Sequence, residues 1–279
     1  MRNIAHRLLL FAVAGMCLST ASPAAAAPEN PFHRTGAEFV ALGDSYIDTG
    51  SYSSLIPGSC TQATDSVARL IAARMPQTSF GDWGCGGADT HDITQMSAMG
   101  PQIDGLSDDA RYVAVSIGGN DESLFGDLIH DCFIAATCTP PVRAAAQDKL
   151  TRLPQRLDAA FTAIRHHAPN AKTVVLGYLK ILPDDPGSCF VDPIAGRTGI
   201  AFGNSVQKEL NDTVAKAATH AGFIFVDPTS PGDHSICAPL ENRYVTLTGL
   251  EPGDNGTPFH PTSLGREYMA AKAFTAMTS

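Results

Sequence analysis

The stretch Glu38-Phe39-Val40-Ala41-Leu42-Gly43-Asp44-Ser45-Tyr46 decides the fold. From Glu38 to Leu42 the run is short and apolar beyond its first residue, without a period of two. That is the pattern of a strand buried on both faces. It stops at Gly43 and passes straight into small polar residues. Similar runs recur at Tyr112–Ile117, Lys172–Leu176 and Phe223–Val226, with a weaker candidate at Thr78–Phe80. Between them the period becomes helical. Val67, Leu70 and Ile71 form one stripe, Leu150, Leu153, Leu157, Phe161 and Ile164 a longer one, and Val206, Leu210, Val214 and Ala218 a third. After Pro261, the segment Thr262–Met277 carries Leu264, Tyr268 and Ala271 on one side, and Pro154 is expected to kink the second stripe. Buried strands alternating with helices predict an α/β chain, a three-layer α/β/α sandwich around a central parallel sheet. The Pro- and Gly-rich stretches 183–197 and 227–257 are too long for tight connections and are expected to form walls or lids.

Of the 279 residues, 44% are apolar and 17% charged, which suits one ordinary core and excludes disorder, collagen and coiled coil. With 19 Lys+Arg against 28 Asp+Glu the net charge is −9, and no basic run offers a stripe for nucleic acid. Residues 1–26 read as a secretory signal peptide: Arg2 and Arg7 open it, Leu8–Leu18 is too short to span a bilayer, and Ala24, Ala25 and Ala26 form a small-residue exit. Residues 27–36 read as an amino-terminal arm and 37–279 as one folded domain. Removing two arginines gives 17 − 28 = −11 for the mature chain. No other segment reaches membrane-spanning length, so a secreted, extracellular monomer without stable membrane insertion is expected.

Of seven Cys, six remain after Cys17 leaves with the signal. Six allow 15 pairings. Cys60–Cys85, Cys132–Cys138 and Cys189–Cys237 are favoured because each closes a local loop. No C-x-x-C or H-x-x-x-H spacing brings two ligands onto one ion, so no metal is expected, and no organic cofactor is implied.

In a parallel sheet, reactive groups gather beyond the carboxyl ends of the strands. Three polar clusters fall there: Gly43-Asp44-Ser45-Tyr46, Gly84-Cys85-Gly86-Gly87 and Gly118-Gly119-Asn120-Asp121, while His260 stands before the last helix. In these residues, taken in order, the chain resembles the SGNH hydrolases of the GDSL lipase and esterase superfamily, and is similar to their secreted three-disulfide actinomycete branch. The resemblance runs from about Ala37 to the carboxyl terminus and implies a serine carboxylic ester hydrolase.

The chemistry agrees with that resemblance. A serine hydroxyl needs a base to become a nucleophile, which casts Ser45 as nucleophile and His260 as base. The oxyanion formed on an ester carbonyl would meet the N–H groups of Ser45 and Gly86 and the amide of Asn120. Asp44 and Asp121 read as structural. The superfamily usually places an aspartate three residues before the histidine. Here that residue is Thr257, so its main-chain carbonyl is the expected orienting group and Asp254 the rival. No G-x-S-x-G occurs, and the glycines of 84–87 lack the step of a dinucleotide-binding loop. The expected substrate is an acyl ester, possible lipid included. The alternatives are a carbohydrate or cell-wall acetyl esterase and an inactive binding protein of the same fold. Phe190, Ile194, Ile236 and Phe259 are candidates for apolar pocket surface or for core.

Overall fold

A computed structural model describes residues 34–187, 189–251 and 254–279; the expected signal peptide and most of the arm lie outside these residues. Five parallel strands, β1 (Phe39–Gly43), β2 (Phe80–Asp82), β3 (Tyr112–Ser116), β4 (Lys172–Leu176) and β5 (Ile224–Val226), lie in the order β2-β1-β3-β4-β5. The chain moves outward from β1 to β2 and then crosses back to β3. This reversal opens a crevice past the carboxyl ends of β1 and β3, where ligands bind in open sheets. Register pairs Phe39 with Tyr112 and Gly43 with Ser116, so the loops after these two strands start level with each other.

The connections are α1 (Ser45–Asp48), α2 (Val67–Ala73), α3 (Thr90–Thr94), α4 (Leu124–Leu128), α5 (Pro140–His167), α6 (Asp192–His220) and α7 (Ser263–Thr278). α2 packs with α7 and α5 with α6, and helices cover both faces of the sheet. The stripes foreseen for α5 and α6 are the ones that bury: Leu150, Leu153, Leu157, Phe161 and Ile164, and Val206, Leu210, Val214 and Ala218. Each large side chain removed from water contributes about 1.5–3 kcal/mol. Among the described residues no helix is long and apolar enough to cross a membrane.

Several expectations need correction. β2 begins at Phe80 and takes in Gly81 and the buried Asp82, a composition that hides a strand. α5 continues through Pro154, from Pro140 to His167. Part of the stretch expected as loop, from Asp192, forms the first turn of α6 before a break at Gly196 (φ 65°, ψ 161°). The stretch 227–257 does stay largely irregular, with one short antiparallel pair, β6 (Leu250–Glu251) and β7 (Asp254–Asn255). After α4 the chain continues into a wide π-helical segment, Ile129–Ile134, which no apolar period announced. Three disulfides join Cys60 to Cys85, Cys132 to Cys138 and Cys189 to Cys237. Ile236 is core, whereas Phe190 and Ile194 are exposed.

Candidate active site

The turn that carries Ser45 is built by three consecutive residues. Gly43 has φ 124°, and a Cβ there would lie 2.0 Å from the Ser116 carbonyl oxygen, so only glycine lets β1 run this close to β3. Asp44 then caps α1, its Oδ1 accepting the Tyr46 N–H at 2.9 Å. Ser45 follows as the first helical residue, where an N–H has no partner within the helix. Beyond β4, the Tyr178 hydroxyl donates to Asp44 Oδ2 at 2.5 Å and accepts the Gly119 N–H at 2.8 Å. One buried phenol thus joins the loop of Ser45 to the loop of Asn120.

His260 Nε2 lies 2.6 Å from Ser45 Oγ, across 215 residues of sequence. Its Nδ1 lies 2.8 Å from the Pro258 carbonyl oxygen. A carbonyl can only accept, so Nδ1 carries the hydrogen and Nε2 presents its lone pair to the serine. The Thr257 carbonyl is not the ring's partner. It accepts the His260 main-chain N–H at 3.3 Å and closes a turn, and the left-handed Phe259 (φ 62°) swings the Pro258 carbonyl onto the imidazole instead. Asp254 belongs to β7, its backbone pairs with Glu251, and its carboxylate lies outside the described part of the structure; the nitrogen it would have to meet already has an acceptor. The Tyr46 hydroxyl donates to the Phe259 carbonyl at 2.8 Å and pins the histidine loop to α1. Burial pushes His260 below the ordinary imidazole range, while the Pro258 hydrogen bond works against that shift.

Asn120 donates one amide hydrogen to the Ala88 carbonyl at 3.0 Å and keeps the other. Asp121 braces the same two loops, accepting the Thr90 N–H at 3.1 Å and the Thr90 hydroxyl at 2.5 Å. Its burial pushes it up to about 6, against the pull of those bonds. Gly86 departs from expectation. Its N–H donates to the Cys60 carbonyl at 3.0 Å, and its missing side chain makes room for Thr61, since a Cβ would sit 2.1 Å from Thr61 Oγ1. The next residue, Gly87 (φ 87°), has an N–H without an acceptor among the described residues. Around this candidate site, sequence reasoning gave no role to Tyr46 and Gly87, though it placed both in the polar clusters, and did not single out Tyr178 or Pro258.

Residues 41–268 match the model of the GDSL-like Lipase/Acylhydrolase family. The chain belongs to this family. It is similar to a lipase of Streptomyces rimosus, 32% identical over 269 residues, covering 90% of this chain and 95% of that one. The crystal structure of the extracellular lipase from Streptomyces rimosus superposes with a TM-score of 0.69 at 30% identity, over 86% of this chain and 99% of that one. Phospholipase A1 from Streptomyces albidoflavus NA297 superposes with a TM-score of 0.67 at 27% identity, over 86% and 98%. This GDSL hydrolase is therefore a carboxylic ester hydrolase, and the reading as a silent binding protein falls away.

Proposed function

We propose that the mature chain is a secreted lipase or esterase that works through an acyl-enzyme on Ser45. The observation that carries the reading is the Ser45–His260 contact of 2.6 Å. His260 takes the Ser45 proton as Oγ attacks the ester carbonyl. The carbonyl oxygen becomes an anion that the N–H groups of Ser45 and Gly87 and the second Asn120 amide hydrogen stabilise, each such donor contributing about 10²- to 10³-fold in rate. The imidazolium then gives its proton to the leaving alkoxide. Water, deprotonated by the same ring, attacks the acyl carbonyl and releases the acid. Pro258 supplies a dipole rather than a charge, so it fixes the tautomer while leaving the ring a weak base.

Secretion is part of the same proposal. It is supported by the composition of residues 1–26, by three disulfides, which persist in oxidising compartments, and by the extracellular relative. Amino-terminal sequencing of protein from culture medium should begin at Ala27.

A fluorophosphonate probe should label Ser45, and Ser45→Ala should abolish labelling. His260→Ala should lower kcat by about 10⁴-fold or more. Retention of full activity by either variant would refute the reading.

A further inference from the structure

The last residue of β1 finds its hydrogen-bond partner on a side chain rather than on the neighbouring strand. Along β1 the peptide groups of alternate residues face β2: the Phe39 N–H donates to the Ser79 carbonyl and the Ala41 carbonyl accepts the Trp83 N–H, both at 2.9 Å. Gly43 is next in that series. Its carbonyl still accepts the Cys85 N–H at 3.0 Å, but β2 has ended at Asp82, and the Gly43 N–H donates instead to Gln102 Oε1 at 2.6 Å. The same amide returns a hydrogen, Gln102 Nε2 donating to the Gly43 carbonyl at 2.9 Å. Since an N–H only donates and a carbonyl only accepts, the backbone fixes which end of the amide points where.

This clamp is rigidly seated. Gln102 is 1% exposed and opens a 3₁₀ turn (Gln102–Gly105), and its neighbours Ile103 and Leu106 pack into the core. The chain leading to it is tied as well: the Asp92 carboxylate accepts the Asp89 N–H at 2.9 Å at the start of α3 and the Ser97 hydroxyl after it. Across 59 residues of sequence, the segment that passes Gly87 thus returns to grip the turn that carries Ser45.

The grip falls where a small rotation has a large lever. Gly43 stands at φ 124°, and the direction of Ser45 is set two residues later. Its carbonyl is shared by Gln102 and by Cys85, so the amide bears on the 84–87 loop too. Removing it would leave the Gly43 N–H buried without a partner, a state that backbone groups avoid by shifting.

We propose that Gln102 is a positioning residue for ester hydrolysis: its amide fixes Gly43, and through Gly43 the Ser45 hydroxyl and N–H, before an ester arrives. The inference rests on the Ser45 acyl-enzyme reading. Gln102 acts through two peptide groups and binds no part of the ester, so its loss should appear in kcat rather than in KM.

Two variants test this. Gln102→Met keeps the length and apolar bulk and removes both bonds. Gln102→Asn keeps an amide that is one methylene too short to hold both Gly43 groups, and it carries the test if the methionine variant does not fold. Hydrolysis of a nitrophenyl ester is measured for each, with active sites counted by fluorophosphonate titration and thermal unfolding recorded alongside. Per titrated Ser45, Gln102→Met should lower kcat about 10²-fold and Gln102→Asn about tenfold, with KM within about twofold, and the rate of fluorophosphonate attack should fall in step. A lowered Tm with kcat per labelled serine within about threefold of the wild type overturns the proposal and leaves Gln102 a core residue only. A loss of kcat at an unchanged fluorophosphonate rate, or an effect confined to KM, overturns it too. Absence of labelling in the wild type overturns the acyl-enzyme reading itself.

Discussion

Asp44 and Asp48 bracket the same four-residue helix, both buried, with exposures of 1% and 0%, yet their surroundings are opposite. Asp44 accepts the Tyr46 N–H and the Tyr178 hydroxyl, and through Tyr178 it reaches Gly119. Asp48 has no hydrogen-bond partner for either oxygen among the described residues. Its neighbour is Asp82, which Arg69 meets at 3.3 Å. Burial pushes Asp44 up to about 7, with the Tyr178 bond pulling the other way. Burial pushes Asp48 well above the carboxylate range, and the charges of Asp82 and Asp44 add to it. One turn of helix thus holds an acid used as a junction between loops and an acid kept neutral. A bound proton removes the charge that would otherwise make an unpartnered buried carboxyl most costly.

The largest test of that contrast is Asp44→Ala. It removes the cap of α1, worth about 0.5–2 kcal/mol, and strands the Tyr178 hydroxyl, worth about 1–3 kcal/mol. A loss of roughly 2–5 kcal/mol in urea unfolding is expected, together with a fall in kcat as the Ser45 and Asn120 loops part. A loss below about 1 kcal/mol would show that Asp44 is no junction.

Asp48→Asn should behave differently because the amide imitates the neutral acid in size and charge. At pH 5 its stability should stay within about 1 kcal/mol of the wild type. An acid whose folded pKa is raised keeps its proton while the unfolded chain, titrating near 3.9, has released it. Its contribution to stability is therefore complete below about pH 4 and is lost as pH rises through the folded value. Asparagine has no proton to lose there, so the variant should gain on the wild type between pH 5 and pH 9. Parallel unfolding curves across that range would place a stable charge on Asp48.

The difference between these two acids is also where the sequence stops being legible. Continuous apolar runs located β1, β3 and β4 because strands buried on both faces need no alternation, the run at Phe223–Val226 located the edge strand β5 although its Ile224 is exposed, and the polar clusters after β1 and β3 made Ser45 and Asn120 candidates. Spacing along the chain says less about direction in space. Gly86 and Gly87 are equivalent in composition, and only the approach of the Cys60 carbonyl separates an engaged N–H from an open one. Thr257 and Pro258 differ by one residue, and the positive φ of Phe259, rare for a phenylalanine, chooses between their carbonyls. Tyr178 carries no local signal, since its role comes from β4 lying two strands away from β1. Asp44 and Asp48 look alike for the same reason: their partners come from other elements.

The subtlest test lies in the pH profile of kcat/KM. His260 must be neutral to act as base, and its depressed pKa puts its limb below 6.5. Asp44, at about 7, should add a second, shallower step above that limb. Protonating Oδ2 sends its hydrogen toward Tyr178, whose own hydroxyl hydrogen then loses its acceptor, and the Gly119 N–H feels the change. Tyr178→Phe separates the two titrations. It removes a bond that favours the Asp44 carboxylate, so the upper step should move upward by about one pH unit, the equivalent of about 1.4 kcal/mol. The histidine limb should remain in place, because Pro258 and the contacts that bury the ring are untouched. If both steps moved together, Asp44 and His260 would be titrating as one coupled pair, and the acid that caps α1 would belong to the proton-transfer apparatus rather than to its scaffold.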